Sequence, residues 1–138
     1  WRWIYGDGRT DTIQNPRHQF LFVDTFSVRL VVTTNQGCIS DTAIRTHIVH
    51  PLPRTGFSTS QPLCERQGIQ FTDTSSALGA GTLVQWHWQM ADGTNYTFTN
   101  ASSFVHVYDT AGLKSIRLTV RSSKGCQSDT LEQQTLVH

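Results

Sequence analysis

The sequence predicts an all-β protein built from antiparallel sandwiches, and three observations predict it. Thr, Ser, Val and Gln are plentiful, Lys is scarce, Met occurs once and only 15% of the 138 residues are charged. β-Branched side chains of this kind suit a pleated, half-buried surface. No window shows a convincing three-to-four-residue apolar period, whereas several short segments alternate apolar and polar. Turn signals recur every roughly 8–15 residues, the spacing of a sandwich.

The alternating segments define the elements. In "GIQFTDT" (68–74), Ile69 and Phe71 point one way, Gln70 and Thr72 the other. "WHWQM" places Trp86, Trp88 and Met90 on one face, and 116–120 places Ile116, Leu118 and Val120 on another. "GDG" (6–8) and "ADG" (91–93) read as strand-end turns. Glycine tolerates positive φ there, and the aspartate can bond its own backbone. "NQGC" and "SKGC" read as a second turn type.

The order of these elements repeats. A shift of 85 lays Trp1, Trp3, Asp7 and Gly8 on Trp86, Trp88, Asp92 and Gly93. A shift of 88 lays His18 on His106, Phe20 on Tyr108, "SVRLVV" (27–32) on "SIRLTV" (115–120), and "GCISDT" (37–42) on "GCQSDT" (125–130). The offset changes by three, which places one insertion between Asp92 and His106. Residues 51–138 are expected to form a complete second unit, and 1–50 the later part of a first unit lacking its early strands. Those early strands are expected to lie outside the given sequence or to come from another chain. Trp1, Trp3, Trp86, Trp88 and Tyr108 are assigned to the core, and Asp7, Gly8, Asp92 and Gly93 to turns. "HPLPRTG" (50–56), with two prolines, reads as a stiff linker.

Trp-x-Trp-x-x-x-Asp-Gly, His-x-aromatic, the x-Val/Ile-x-Leu-x-Val strand and the Gly-Cys-x-Ser-Asp turn together resemble the PKD domain. The resemblance implies two tandem immunoglobulin-like sandwiches. "HVYDTAG" (106–112) fits the family pattern; Met90 and Ala91 depart from it, and Asp24 stands where the first copy would carry the glycine. The "GCxSDT" turn is similar to repeats of large exported surface proteins of Bacteroidota, including gliding and type IX secretion cargo.

Three cysteines occur. Cys38 and Cys126 are repeat-equivalent, and Cys64 has no counterpart in 1–50. The expectation is a Cys64–Cys126 disulfide with Cys38 left over, as in an oxidising compartment; the alternative is three reduced thiols. A bridge across that loop would add about 4 kcal/mol on the chain-entropy model.

Eleven Lys and Arg balance ten Asp and Glu, so the basic footprint of a nucleic-acid binder is missing. No apolar run approaches the ~20 residues of a membrane helix. No signal peptide is visible, which decides little in a chain that opens inside a motif. His47 and His50 fall on opposite strand faces, and repeat-equivalent His18 and His106 suggest an inter-strand hydrogen bond. Asp7 and Asp92 in glycine-flanked turns are candidate Ca²⁺ ligands, but no acidic cluster supports them and the turn role is preferred; no other cofactor is expected. Neither a Gly-x-Ser-x-Gly elbow nor a phosphate-cradling loop occurs. Tyr96, Phe98 and Phe104 in the loop-rich 94–104 stretch, where the insertion falls, form a candidate binding surface or equally are edge-strand and core residues. "NYT" (95–97) and "NAS" (100–102) fit N-glycosylation, and "DTI" (11–13), "DTA" (41–43), "DTA" (109–111) and "DTL" (129–131) resemble an O-glycosylation pattern.

The expected protein is non-enzymatic and extracellular: spacer repeats of a large secreted or cell-surface protein, adhesin-type or gliding-associated. The alternative is an accessory glycan- or protein-binding module of a secreted polysaccharidase or protease. Expected partners are neighbouring repeats, with a glycan or surface protein as further candidates; neither nucleic acid nor insertion in a membrane is expected.

Overall fold

A computed structural model describes all residues, 1–138. It is all-β and divides into two compact units, Trp1–His50 and Pro51–His138.

The first unit is one antiparallel sheet of β1 (Arg2–Ile4), β2 (Thr10–Asp11), β3 (Thr25–Val31) and β4 (Ala43–Ile48), in the order β2-β1-β3-β4. Trp3 faces Leu30 across β1 and β3, and Val28 faces Arg45 across β3 and β4. Trp3, Val28 and Leu30 are only half-buried. The buried apolar residues here are Tyr5 and Phe26, joined by a chain of rings. Tyr5 stacks on His18 at 3.7 Å, His18 meets Phe20 edge-on at 4.7 Å, and Phe20 stacks on Phe26 at 4.4 Å.

The second unit has two sheets. One holds β7 (Leu83–Gln89), β8 (Asn95–Phe98), β10 (Gly112–Ser122) and β11 (Leu131–Val137), in the order β11-β10-β7-β8. The other holds β5 (Phe57–Thr59), β6 (Gly68–Asp73) and β9 (Phe104–Val107), in the order β5-β6-β9. Register across the large sheet pairs Trp88 with Leu118 and Tyr96, and Trp86 with Val120 and Phe98. Alternation then does the packing: Trp86, Trp88, Ile116, Leu118 and Val120 turn inward and meet Phe57, Ile69 and Phe71 from the smaller sheet. Burying this many large apolar side chains is the main stabilising term of the unit.

The sheet of the first unit has the strand order of the large sheet of the second, β1 standing for β7, β2 for β8, β3 for β10 and β4 for β11. The β5-β6-β9 sheet has no counterpart in it, and residues 16–19, equivalent to β9, form no strand.

Three expectations need correction. Trp1 is 49% exposed and is not core, because it lies outside β1 and no opposing sheet covers it. The three cysteines are free. Cys64 sits by the chain end, where Glu65 N–H donates to His138 O and His138 N–H to Leu63 O, next to Gly112 at the start of β10. Cys126 sits past the far end of β10, accepting from Ser122 N–H. The eleven residues of β10 hold the two cysteines about 30 Å apart, well beyond the ~7 Å Cα separation a disulfide spans. Finally, 50–56 is not a free linker throughout. Pro53 is buried, and Arg54 and Ser76 exchange two backbone hydrogen bonds of 2.8 Å inside the second unit.

Candidate functional site

The residues that the repeat preserves converge on the Asp-Gly turns. β1 and β7 each run into one. Gly8 and Gly93 adopt φ of +90° and +89°, open to solvent, a conformation that a side chain would strain. Asp7 Oδ1 accepts the Arg9 N–H at 3.0 Å, and Asp92 Oδ1 accepts the Thr94 N–H at 2.9 Å. Each carboxylate thus closes its own turn and keeps Oδ2 for another partner.

That partner is the repeated histidine. His18 Nε2 lies 2.7 Å from Asp7 Oδ2, and His106 Nε2 lies 3.0 Å from Asp92 Oδ2. The first is a hydrogen bond; the second is an ion-pair approach whose angle leaves Nε2 without an aligned acceptor. His106 stands on β9 opposite Ile69, and its Nδ1 is 3.0 Å from the Tyr96 hydroxyl. The ring meets Tyr108 edge-on at 4.5 Å.

Both carboxyls titrate below the ordinary carboxylate value. Burial alone would raise Asp7, but the Arg9 backbone N–H and His18 together outweigh it. For Asp92, burial is likewise overcome by Thr94 and His106. Burial pushes the Tyr108 phenol up to about 12, the Ala91 backbone offsetting part and the Asp92 charge adding. Tyr5, which stands where the second unit has Met90, is raised by burial and by the charges of Asp11 and Asp7.

An Asp–His pair is also the orienting half of a nucleophilic triad. Here His106 is 6% exposed with Tyr96 on one ring nitrogen and Asp92 facing the other, and His18 lies flat on Tyr5. A base so enclosed has no face for a substrate. The pair acts as a clasp, tying the turn after the tryptophan strand to the segment that passes it, β9 in the second unit and residues 16–19 in the first. The Ca²⁺ candidates Asp7 and Asp92 are engaged by their turns and by the histidines, and the neighbouring oxygen-bearing residues Asp11 and Asn95 are likewise occupied. Asp11 Oδ1 accepts the Thr12 and Ile13 N–H groups, and Asn95 Nδ2 donates to Gly93 O. No group of three or more His, Cys, Asp or Glu is disposed to hold a metal.

Tyr96, Phe98 and Phe104 lie together, on β8 and β9 rather than in a loop, and face inward. Tyr96 and Phe98 stack in parallel at 6.1 Å, and Phe104 reaches Tyr96 at 4.6 Å and Trp88 at 5.1 Å. They are partly buried against the core, as a wall across the open side of the sandwich.

The sequence reading missed the work of the serine in Gly-Cys-x-Ser-Asp. Ser40 Oγ accepts the Val32 N–H and Ser128 Oγ the Val120 N–H, both at 2.9 Å. One residue of the turn also donates backward: Cys38 N–H to Thr34 Oγ1 and Cys126 N–H to Ser122 Oγ. The hydroxyl at 34 and 122, six residues before each Ser, was the available signal. Also unforeseen is a shallow polar groove on the outer face of the large sheet, lined by Gln85, His87, Thr97, Thr119, Arg121 and Gln127. The counterparts of His87, Thr119, Arg121 and Gln127 in the first unit are Arg2, Val31, Thr33 and Ile39.

Two facing antiparallel sheets with a shared tryptophan core and clasped turns define an immunoglobulin-like β-sandwich repeat. The PKD domain family model matches residues 1–49 and 50–137, and the chain belongs to that family. Among solved structures it is similar to the PKD1 domain of Vibrio anguillarum Epp, at 21% identity and a TM-score of 0.55, covering 65% of this chain and 98% of that one. It is also similar to the PKD1 domain of the Vibrio cholerae metalloprotease PrtV, at 26% identity and a TM-score of 0.53, covering 63% and 98%. The fibronectin(III)-like modules of Clostridium thermocellum CbhA share the fold at 12% identity and a TM-score of 0.53, covering 99% and 76%. Domains of the family are generally non-catalytic structural or binding modules. No helix is long and apolar enough to cross a membrane.

Proposed function

We propose that the chain is a pair of spacer repeats in a large secreted or cell-surface protein, holding a distal adhesive or catalytic module away from its anchor. The assignment extends to an adhesin-type or gliding-associated protein of the type IX secretion class in Bacteroidota. One observation carries the spacer reading: the positions that both repeats keep serve the fold. Trp88, Ile116 and Leu118 are core, the Asp–His pairs are clasps, and Ser40 and Ser128 brace a turn. What the duplication preserves is a bead and not a ligand site. Partners are then neighbouring repeats of the same polypeptide. The test is single-molecule extension of the full chain between end tethers. A spacer gives a discrete unfolding peak for the second unit at tens of piconewtons or more; smooth extension without a peak defeats the reading.

A second reading rests on the outer groove of the second unit and on the likeness to a protease PKD1 domain: an accessory module contacting glycan or protein. Glycan-array binding that Arg121→Ala and His87→Ala abolish would favour it.

A further inference from the structure

The outer face of the large sheet carries two ordered rows of polar side chains. Trp86, Trp88, Leu118 and Val120 turn inward, so Gln85, His87, Thr119 and Arg121 turn outward. Register sets them in line across the strands. Arg121 lies opposite Gln85 of β7 and, through a single bridge, opposite Gln127. His87 lies between Thr119 of β10 and Thr97 of β8. The two rows are about 7 Å apart, two residues along a strand. They line a depression of about 270 Å³. A second depression, of about 320 Å³, continues it past Gln85 and Arg121, which border both, toward Thr99 and Ser123.

The charge along this groove has one sign. No Asp or Glu lines either stretch. Arg121 has no acidic partner, whereas Arg117, the other outward arginine of β10, is paired with Glu132 at 3.1 Å. An unpaired guanidinium offers a planar fork of N–H donors that matches a carboxylate. Around it stand the amides of Gln85 and Gln127 and the hydroxyls of Thr97 and Thr119, groups that both donate and accept. His87 Nδ1 is 3.0 Å from Thr97 Oγ1, which fixes the ring and leaves Nε2 for a ligand. The fold does not require this set. The first unit builds the same sheet with Val31, Thr33 and Ile39 at the places of Thr119, Arg121 and Gln127.

We infer that this groove binds an acidic polysaccharide, Arg121 taking a sugar carboxylate and Gln85, His87 and Gln127 the sugar hydroxyls. The inference rests on the accessory-module reading and names the ligand class of that groove. A neutral glycan fits less well, because no Trp, Tyr or Phe lines the groove to stack on a sugar ring. An acidic peptide fits less well too. Strands β7 and β10 are each paired on both sides, so no main-chain edge is open here for strand addition. The neutral hydrogen-bonding groups also outnumber the single guanidinium, as suits a ligand with many hydroxyls and few charges. One exposed ion pair is weak, so a polymer that repeats its carboxylate suits the groove better than a lone sugar acid.

The test titrates the full chain with polygalacturonate, alginate and hyaluronan, each beside its neutral, carboxyl-reduced form. The expected result is binding of at least one polyuronate, weakened roughly tenfold or more by carboxyl reduction, an arm that leaves the protein untouched. Arg121→Ala should weaken binding to a similar degree. Arg121→Lys, which keeps the charge and loses the fork, should recover only part of it. Arg117→Ala, on the same face but paired with Glu132, should change nothing. Equal loss with Arg117→Ala overturns the inference as a diffuse charge effect, and binding that survives Arg121→Ala overturns it by placing the polymer elsewhere. Equal, Arg121-dependent binding of the carboxyl-reduced forms overturns the acidic ligand and leaves the accessory reading standing. Polyglutamate that binds as tightly, with the same dependence on Arg121, overturns the glycan. Binding of none of the polymers, acidic or neutral, overturns the inference and the accessory reading together.

Discussion

Trp3 and Trp88 hold the same place in the repeat, on strands of the same order and pairing, and end in different environments. Trp88 is 1% exposed between two sheets; Trp3 is half-buried on one. The difference lies wholly in what faces them, since Leu30 and Leu118, opposite each, are the same residue in the same register. Burial therefore belongs to the pair of sheets and not to the motif. The largest expected effect follows. Trp88→Ala costs about 3–5 kcal/mol, read as accelerated amide exchange throughout Pro51–His138. Trp3→Ala removes a side chain already in partial contact with water and costs a minor fraction of that. Equal costs would mean that the face of Trp3 is covered in solution.

The clasps behave otherwise. Asp7 and His18 are 13% and 12% exposed in their side chains, although the first unit lacks its facing sheet. His18→Ala and His106→Ala should each cost about 1–3 kcal/mol by releasing a buried polar partner and its ring contacts. A ratio near one, against the unequal tryptophans, would separate local ties from cross-layer packing; a silent His18→Ala would show that its clasp is idle without the second layer.

Smaller again is the serine of the Gly-Cys-x-Ser-Asp turn. Ser128 is 7% exposed and its hydroxyl holds a buried N–H, so Ser128→Ala should cost about 1 kcal/mol. Ser40 makes the same bond in the open, where water replaces it, and Ser40→Ala should move stability by a few tenths at most. Amide exchange of Val120 and Val32 reads the two bonds directly.

What the sequence made legible was local. Period-two alternation placed Ile69, Phe71, Trp86, Trp88, Ile116, Leu118 and Val120 inside, and all are buried. The turns were legible because Asp-Gly has few alternatives. The clasp was half legible: equivalence marked His18 and His106 as structural, but their partners are aspartates in a turn after a different strand, which no spacing reveals. For Tyr96, Phe98 and Phe104 the sequence leaves a recognition surface and an edge-strand core role equally open, because the insertion of the repeat falls there; the alternation over 95–98 is that of β8, an edge strand packed against the core. The fate of Trp1 depended on an opposing sheet, and that of the cysteines on the length of β10, both long-range quantities.

Titration gives the two units different groups for similar limbs. Asp7 and Asp92 have folded pKa values below the ordinary 3.8, so each adds stability that is present above that value and lost as pH falls through its folded pKa. Asp92→Asn should flatten the acid limb of the second unit alone. Tyr108 is raised from 10.0 to about 12, so its contribution is present below pH 10.0 and lost between there and about 12. Tyr108→Phe removes that alkaline limb. The first unit has Phe20 at the equivalent place and a raised Tyr5 instead, so its limb should answer to Tyr5→Phe. A first-unit alkaline limb that survives Tyr5→Phe would refute the exchange of roles.

The smallest expected effect is none. Were Cys64 and Cys126 joined, reduction would remove about 4 kcal/mol by freeing a long loop in the unfolded chain. With the two thiols at opposite ends of β10, dithiothreitol should leave the unfolding midpoint unchanged, and Cys64→Ser with Cys126→Ser should do no more. Denaturing thiol titration before reduction should count all three cysteines as free. Cys38 and Cys126 occupy one position of one turn, exposed in the first unit and half-buried in the second, so their alkylation rates under native conditions extend the comparison to this turn. Cys38 should react faster, because its thiol needs no opening of the fold, and equal rates would show that the second layer does not shelter the turn.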